Sequence, residues 1–331
     1  MALTETDIIA RYFQQPGLAA DPALQRNIAL GIGDDCALIT VPRGKQLALS
    51  MDVLAEGVHF PAGADPAQIA WRALAVNLSD LAAMGAEPLC FTLGLTLPTA
   101  DEAWLDAFSS GLRACAQQYD CPLVGGNLTR GPLQIAIQVQ GLVRSGEALL
   151  RSAAKPGQDV YVSGTTGRAG LALDYLQGRC DAVNDAQRAD LLAAYYRPEP
   201  RLALGQALCG IARAAQDVSD GLLADLAHIA RSSKVQITVD IAAIPLAGVL
   251  TALRDSTDVF RLALTAGDDY ELVFTAPASK KKAVAAAAKK AGVQVTRIGK
   301  VAKGEGVQVQ DLSGRTLTFT GAGYEHFGAG G

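Results

Sequence analysis

"KQLALSMDVL", residues 45–54, decides how the first third of this chain is read. Side chains of a strand point to alternate faces. Leu47, Leu49, Met51 and Val53 therefore share one face, and Ser50 and Asp52 share the other. "LQIAIQVQGLV" (133–143) repeats the pattern, with Ile135, Ile137, Val139 and Val143 opposed to Gln134, Gln138 and Gln140. Shorter strands are expected in "DVYVSG" (159–164), "KVQITVD" (234–240) and "YELVFT" (270–275). Alanine-rich helical stretches lie between them, near 66–85, 101–118, 167–178, 186–195, 200–215, 220–232 and 278–291. The mixture predicts an α/β or α+β chain. "RSAAKPGQD" (151–159) is a polar break containing Pro and Gly, so the domains are expected to be 1–150 and 151–331.

The totals exclude several classes. The 331 residues favour two domains, and half of them are hydrophobic, enough for sizeable cores. A net charge of −4 argues against nucleic-acid and anionic-membrane partners, which need a basic footprint. The six cysteines form no CxxC and no zinc-like spacing. "MALTETDIIARYF" lacks a signal peptide's basic and apolar regions, and no apolar run reaches membrane length. A reducing cytoplasm is the expected compartment.

Carboxylates gather beside Gly, Ser or Asn in five places: "GIGDDCA" (31–37), "SMD" (50–52), "NLSD" (77–80), "DVSDG" (217–221) and "AGDDYE" (266–271). Singly, each has a plain structural reading. "DVSDG" suits a helix N-cap, "AGDD" a hairpin turn and "GIGDD" another turn. Two resist it. Asn77 and Asp80, three apart, form a stripe beside the apolar positions Leu74, Leu78 and Leu81 of a helix that Gly85 caps and Pro88 stops. An Asp there needs a partner. Ser50 and Asp52 pose the same question on their strand. A shared Mg²⁺ site answers for all five, because this ion takes oxygen ligands and keeps waters and substrate phosphates in its shell. In "DVSDG" one carboxylate would then cap the helix and the other hold metal.

Two glycine turns are candidate phosphate cradles, "LVGGNLTRGPLQ" (123–134) with its glycines ahead of a strand and "VSGTTGRAG" (162–170) ahead of a helix. A plain loop explains either equally well. There is no P-loop, no protein-kinase signature set and no attractive Ser-His-Asp set, since the only histidines are His59, His228 and His326.

Taken in order and spacing, "GIGDDCAL", "SMDVLAEGVHF", "AVNLSDLAAMGAEP", "LVGGNLTRG", "DVSDGLLADL" and "GDDYEL" resemble the thiamine-monophosphate kinase family. That family belongs to the superfamily of aminoimidazole ribonucleotide synthetase and selenophosphate synthetase. The likeness runs from about residue 6 to 327 and includes "GYEHF" near the end. It implies a cytoplasmic, Mg²⁺-dependent enzyme that phosphorylates thiamine monophosphate with ATP. It implies a homodimer whose N-terminal domains, 1–150, bind ATP and Mg²⁺ and pair their sheets, and a C-terminal domain, 151–331, that completes the site. By this resemblance Asp35, Ser50, the Met51 backbone, Asp52, Asp80, Asn127, Asp217 and Asp220 would hold Mg²⁺. Gly126, Asn127, Arg151 and Ser219 would contact ATP, and His59 and Asp268 the thiamine monophosphate. In-line transfer with no protein base is the expected chemistry.

The chain departs from the family in three places. Asn127 stands where the family has Asp. Asp268 stands where Glu is frequent. Gly321 stands where the family often has a stacking aromatic; Phe319 and Tyr324 lie nearby. Two other readings stay open: a superfamily enzyme that activates a carbonyl or selenide, and a metal- or nucleotide-binding protein without turnover.

Overall fold

A computed structural model describes residues 3–180, 184–251 and 257–319. The chain divides into two compact units, one within Met1–Leu81 and Ala86–Gly146, the other within Ala82–Gly85 and Glu147–Gly331.

The first unit begins with α1 (Glu5–Ile8), which runs on as a π-helical turn, Ile9–Phe13. Then follow β1 (Ile28–Leu30), β2 (Leu38–Ile39), β3 (Lys45–Ala55), α2 (Pro66–Ala83), β4 (Glu87–Leu97), α3 (Glu102–Gln118), β5 (Leu123–Arg130) and β6 (Gln134–Arg144). Four strands make one sheet in the order β3-β6-β4-β5. Only β4 and β5 run parallel, and each row across the sheet can be read from the pairing. Asp52, Ile137, Leu93 and Gly126 form one row; Val53, Ala136, Gly94 and Asn127 form the next, on the opposite face. Leu74, Leu78 and Leu81 of α2 and Leu105, Phe108 and Leu112 of α3 are buried, as are Ile135, Ile137 and Val139 of β6. Gly85, at φ +68°, ends α2 as its position predicts.

The alternation along β3 is as expected, and the apolar face is the exposed one. Ser50 and Asp52 are half-buried, while Leu49 and Met51 are each 57% exposed and Leu47 and Val53 each 38%. Alternation tells which residues share a face, not which face is covered.

The second unit holds β7 (Gln158–Ser163), α4 (Arg168–Leu176), α5 (Asp185–Tyr196), α6 (Leu202–Leu208), β8 (Ala215–Asp217), α7 (Leu222–Ser233) and β9 (Gln236–Asp240). It continues with α8 (Gly248–Thr251), α9 (Thr257–Thr265), β10 (Leu272–Pro277), α10 (Lys281–Ala291), β11 (Val295–Ala302), β12 (Gly306–Gln310) and β13 (Thr316–Leu317). Seven strands pair in the order β13-β12-β9-β11-β7-β10-β8. Its core joins Val160, Val162, Ile237, Val239, Val273 and Ile298 of the strands to Leu222, Leu226 and Ile229 of α7 and Ala263 and Leu264 of α9. The helix expected over 200–215 stops at Leu208, and Ala215–Asp217 is a strand instead, paired to β10.

Candidate active site

In the first unit, β3 and α2 carry the polar groups to one another. Ser50 Oγ donates to Asp80 Oδ2 at 2.5 Å. The Asp52 N–H donates to Asn77 Oδ1 at 2.9 Å, and Asn77 Nδ2 donates to the Ala73 carbonyl at 2.9 Å. The stripe beside the leucines of α2 thus finds its partner in the polar face of β3. Asn77 is fully buried; Asp80, Ser50 and Asp52 are half-buried at the sheet edge. The Ser50–Asp80 bond ties β3 to α2 at the point where the polar groups meet. The trans peptide turns the Met51 carbonyl away from Asn77 and toward β6, where Met51 pairs with Gln138.

His59 follows β3 in a turn and is half-buried, so it is not a solvated loop histidine. Its Nδ1 accepts the Ala55 N–H at 3.1 Å, which leaves Nε2 to carry the proton of the neutral ring. Asp35 is exposed in the turn between β1 and β2, its N–H donating to Asp34 Oδ1 at 2.9 Å.

"LVGGNLTR" is not a turn ahead of a strand. It is the edge strand β5 itself, paired to β4 with a bulge at Val124. Gly126 is required there, because a Cβ would lie 2.0 Å from the Leu93 carbonyl oxygen. An apolar pocket of about 60 Å³ beside Gly125, Gly126 and Asn127 is lined by Ile9, Phe13, Ile32 and Leu93 among others. Asn127 and Asp52 stand on opposite edges of the sheet and on opposite faces. Three strand spacings separate them, about 14 Å. Within one protomer the two do not converge.

In the second unit the acidic residues sit on loops and at the ends of elements. Asp217 ends β8 and is 4% exposed; Ser219 and Asp220 are half-buried. Neither Asp nor Ser caps α7, contrary to expectation: its N-cap is Gly221, without a side-chain bond. The holding group is Asp225, inside the first turns. Its Oδ2 accepts the N–H of Asp220 at 3.1 Å and of Gly221 at 3.2 Å, and its Oδ1 accepts from Gln216 Nε2 at 2.6 Å. Burial, and then the nearby charge of Asp220, push the Asp225 carboxyl up to about 7. Asp220, Asp225 and His228 each bring one ligand atom within 4.8 Å of the others. Burial, and then Arg151 and Arg231, lower the His228 pKa. Arg151 is exposed in a short 3₁₀ turn whose carbonyl accepts from Ser233 Oγ at 2.7 Å.

"AGDDYE" is no hairpin turn either; it joins α9 to β10. The Asp268 N–H donates to the Ser219 carbonyl at 2.9 Å and the Tyr270 N–H to the Val218 carbonyl at 2.8 Å, so this loop lies along "DVSDG". Asp268, at φ +70°, and Tyr270, at +49°, are non-glycine residues in left-handed conformations, and the Tyr270 hydroxyl donates to Asp268 Oδ1 at 3.2 Å. Asp269 between them accepts the N–H of Gly167 at 2.6 Å and of Ala169 at 3.3 Å. The glycine turn before α4 is therefore occupied by a carboxylate and is not an anion cradle. Desolvation pushes Asp269 up to about 8 against those two bonds. Glu271 is buried and paired bidentately to Arg201 at 2.7 and 2.6 Å, and Ser163 Oγ donates to it at 2.5 Å.

Sequence reasoning missed Asp225, Asp269 and the Arg201–Glu271 pair. Asp225 carried a signal, a carboxylate at helical spacing among Leu222, Leu226 and Ile229. The other contacts bridge 70 to 102 positions and carried none. Phe319 packs against the core of the second unit, whereas Gly321, Tyr324 and "GYEHF" lie outside the described residues. No helix of the described residues is long and apolar enough to cross a membrane.

Two family models match the chain, the AIR synthase related protein N-terminal domain over residues 33–143 and the C-terminal domain over 155–312. Thiamine-monophosphate kinase of Escherichia coli K12 is 44% identical over 330 residues, 99% of this chain and 99% of its own. A crystal structure of thiamine-monophosphate kinase from Stenotrophomonas maltophilia K279a matches with TM-score 0.82 at 43% identity, over 96% of this chain and 99% of that one. The structure of AaThiL complexed with AMPPCP and TMP matches with TM-score 0.76 at 30% identity, over 87% and 89%.

Proposed function

The chain belongs to the thiamine-monophosphate kinase family, and from that membership we propose that it transfers the γ-phosphoryl group of ATP to the phosphate of thiamine monophosphate. The products are thiamine diphosphate and ADP, which makes this the last step in forming the diphosphate. Full-length relatedness to the E. coli kinase carries the reading.

The residue types suit the chemistry. Asp35, Ser50, the Met51 carbonyl, Asp52, Asp80, Asn127, Asp217 and Asp220 offer only oxygen, the donor set of a hard cation such as Mg²⁺. Bound Mg²⁺ would neutralise the repulsion between two phosphates. Gly126, Asn127, Arg151 and Ser219 would hold ATP, and His59 and Asp268 would hold thiamine monophosphate. His59, whose Nδ1 accepts the Ala55 N–H, would meet a phosphate oxygen through its Nε2 side. An acceptor phosphate is a nucleophile at neutral pH, so no side chain need take a proton, and direct in-line transfer follows.

The sheet adds a requirement. Asp52 and Asn127 meet at one ion only if they come from two protomers. A homodimer with the β3 edge of one copy beside the β5 edge of the other would satisfy this, and packing of the open sheet faces would cover Leu47, Leu49, Met51 and Val53. The N-terminal domain would thus supply ATP and Mg²⁺ contacts and the dimer, and the C-terminal domain the remaining ligands. The compartment would be the cytoplasm, where these small molecules are made and used.

The test is to incubate the protein with ATP, Mg²⁺ and thiamine monophosphate and separate the thiamine phosphates. Diphosphate is expected only with metal and only from the monophosphate; none at all would overturn the reading. The dimer is tested by mixing Asp52→Ala and Asn127→Ala variants, each of low activity. Heterodimers then carry one intact site in two, and activity returns toward a quarter of wild type. No recovery after subunit exchange would place both residues in one protomer.

A further inference from the structure

Asp225 has no assigned role in the motifs above, yet it grips the segment 217–220 from both ends. We propose that it is the positioning residue of the second unit's acidic loop. The inference rests on the metal- and nucleotide-binding reading of Asp217, Ser219 and Asp220. Asp225 is fully buried. Through Oδ1 it takes the amide of Gln216, the residue just before Asp217; through Oδ2 it takes the backbone N–H groups of Asp220 and Gly221, just after Ser219. Four residues are thereby held between two anchors on one carboxylate. The opposing loop holds the middle, since the Val218 N–H donates to the Glu271 carbonyl at 2.8 Å and the Asp268 N–H to the Ser219 carbonyl.

A helix start of this kind is ordinarily capped by the side chain of its own N-cap residue. Had Ser219 or Asp220 done so, that side chain would be aimed along the helix axis. Asp225 instead accepts the N–H groups of Asp220 and Gly221, just ahead of the helix, and so fixes the backbone there while the Ser219 and Asp220 side chains stay out of the cap. Both its oxygens are taken by three donors, which argues for positioning over direct metal ligation. Gln216 is 2% exposed, and its Oε1 has no partner among the described residues, so its amide can turn over. An Asn at 225 then keeps every bond: its oxygen accepts the two backbone N–H groups, and its Nδ2 donates to the turned Gln216 oxygen.

This sets the experiment. The half-saturating Mg²⁺ concentration of turnover is measured for wild type, Asp225→Ala and Asp225→Asn, together with KM for thiamine monophosphate. Mn²⁺ binding in the presence of the ATP analogue AMPPCP is followed by magnetic resonance in parallel. Asp225→Ala is expected to raise half-saturation roughly tenfold or more, the scale seen when a supporting partner of metal ligands is lost, with KM for thiamine monophosphate unmoved. Asp225→Asn is expected to stay within about threefold of wild type by the same scale. An Asp225→Asn as damaged as Asp225→Ala would make Asp225 a direct ligand and overturn the proposal. An Asp225→Ala with unchanged metal dependence would overturn it too. If Asp225→Ala does not fold, Gln216→Ala releases one anchor and must raise half-saturation by itself. Should wild type make no thiamine diphosphate, the functional reading fails, while Mn²⁺ binding still reports on Asp225.

Discussion

The two units hold their acidic groups by different means. In the first, Ser50, Asp52, Asn77 and Asp80 ride on a strand and a helix, and the elements themselves set their spacing; the groups then bond to one another. In the second, Asp217 ends a strand while Ser219, Asp220 and Asp268 sit on two loops, and separate carboxylates, Asp225 and Asp269, hold the loop backbone in place. Regular structure positions side chains without further help. A loop needs clamps, and its clamps carry the cost of a desolvated carboxyl. The difference predicts that ligand substitutions in the first unit cost activity and little stability, while clamp substitutions in the second cost both.

The largest effect sharpens the first half of that statement. Asp80→Ala is expected to lower kcat/KM roughly 10³-fold, the several kcal/mol that metal-ion charge stabilisation contributes. Its unfolding temperature should move little, because Asp80 is half-buried and its partner Ser50 retains access to water. A drop in stability large enough to account for the lost activity would erase the contrast.

Asn127→Asp should have a smaller effect, in the opposite direction. A carboxylate there restores the charge found in the family, and half-saturating Mg²⁺ should fall about tenfold, the scale of a strengthened coordination shell. Stability should be unchanged, since Asn127 is exposed on an edge strand. An unchanged metal dependence would remove Asn127 from the ion's shell and leave it to ATP alone.

Much of this was legible in the sequence where periodicity and spacing carry the signal. β3 and β6 follow from alternation, α2 follows from its leucines, and the Asn77–Asp80 stripe led to the partner it needed. "LVGG" was read as a turn because glycine and Asn favour turns, and pairing with β4 overrode that preference. The exposure of Leu49 and Met51 was hidden because pattern does not reveal what covers a face. The six ordered motifs, five of them acidic, pointed to the family, but not to two of the expected ligands lying on opposite edges of one sheet. The Asp269 clamp was hidden for a simpler reason: a carboxylate that bonds backbone N–H groups some 100 positions away leaves no local trace.

The smallest effect tests the clamps through pH. The Asp269 carboxyl is raised to about 8 in the folded chain, from an ordinary value of 3.8. Between those values the native state holds a proton that the unfolded state has released. Stability from this group is therefore full below pH 4 and is lost as pH rises through about 8. Asn resembles the protonated acid and does not titrate. Asp269→Asn should consequently unfold at a temperature nearest to, or below, wild type at pH 5 and gain on it by pH 9. Asp269 is half-buried as a residue, so the gain should be a modest one, about 1 kcal/mol, or ~2–4 °C in a domain of this size. Asp225 also titrates in this window, but it is present in both proteins and cancels from the difference. A gap that stays constant from pH 5 to pH 9 would mean that Asp269 remains ionised throughout. Its bonds to Gly167 and Ala169 would then outweigh desolvation, and the second unit's clamp would be as inexpensive as the first unit's paired side chains.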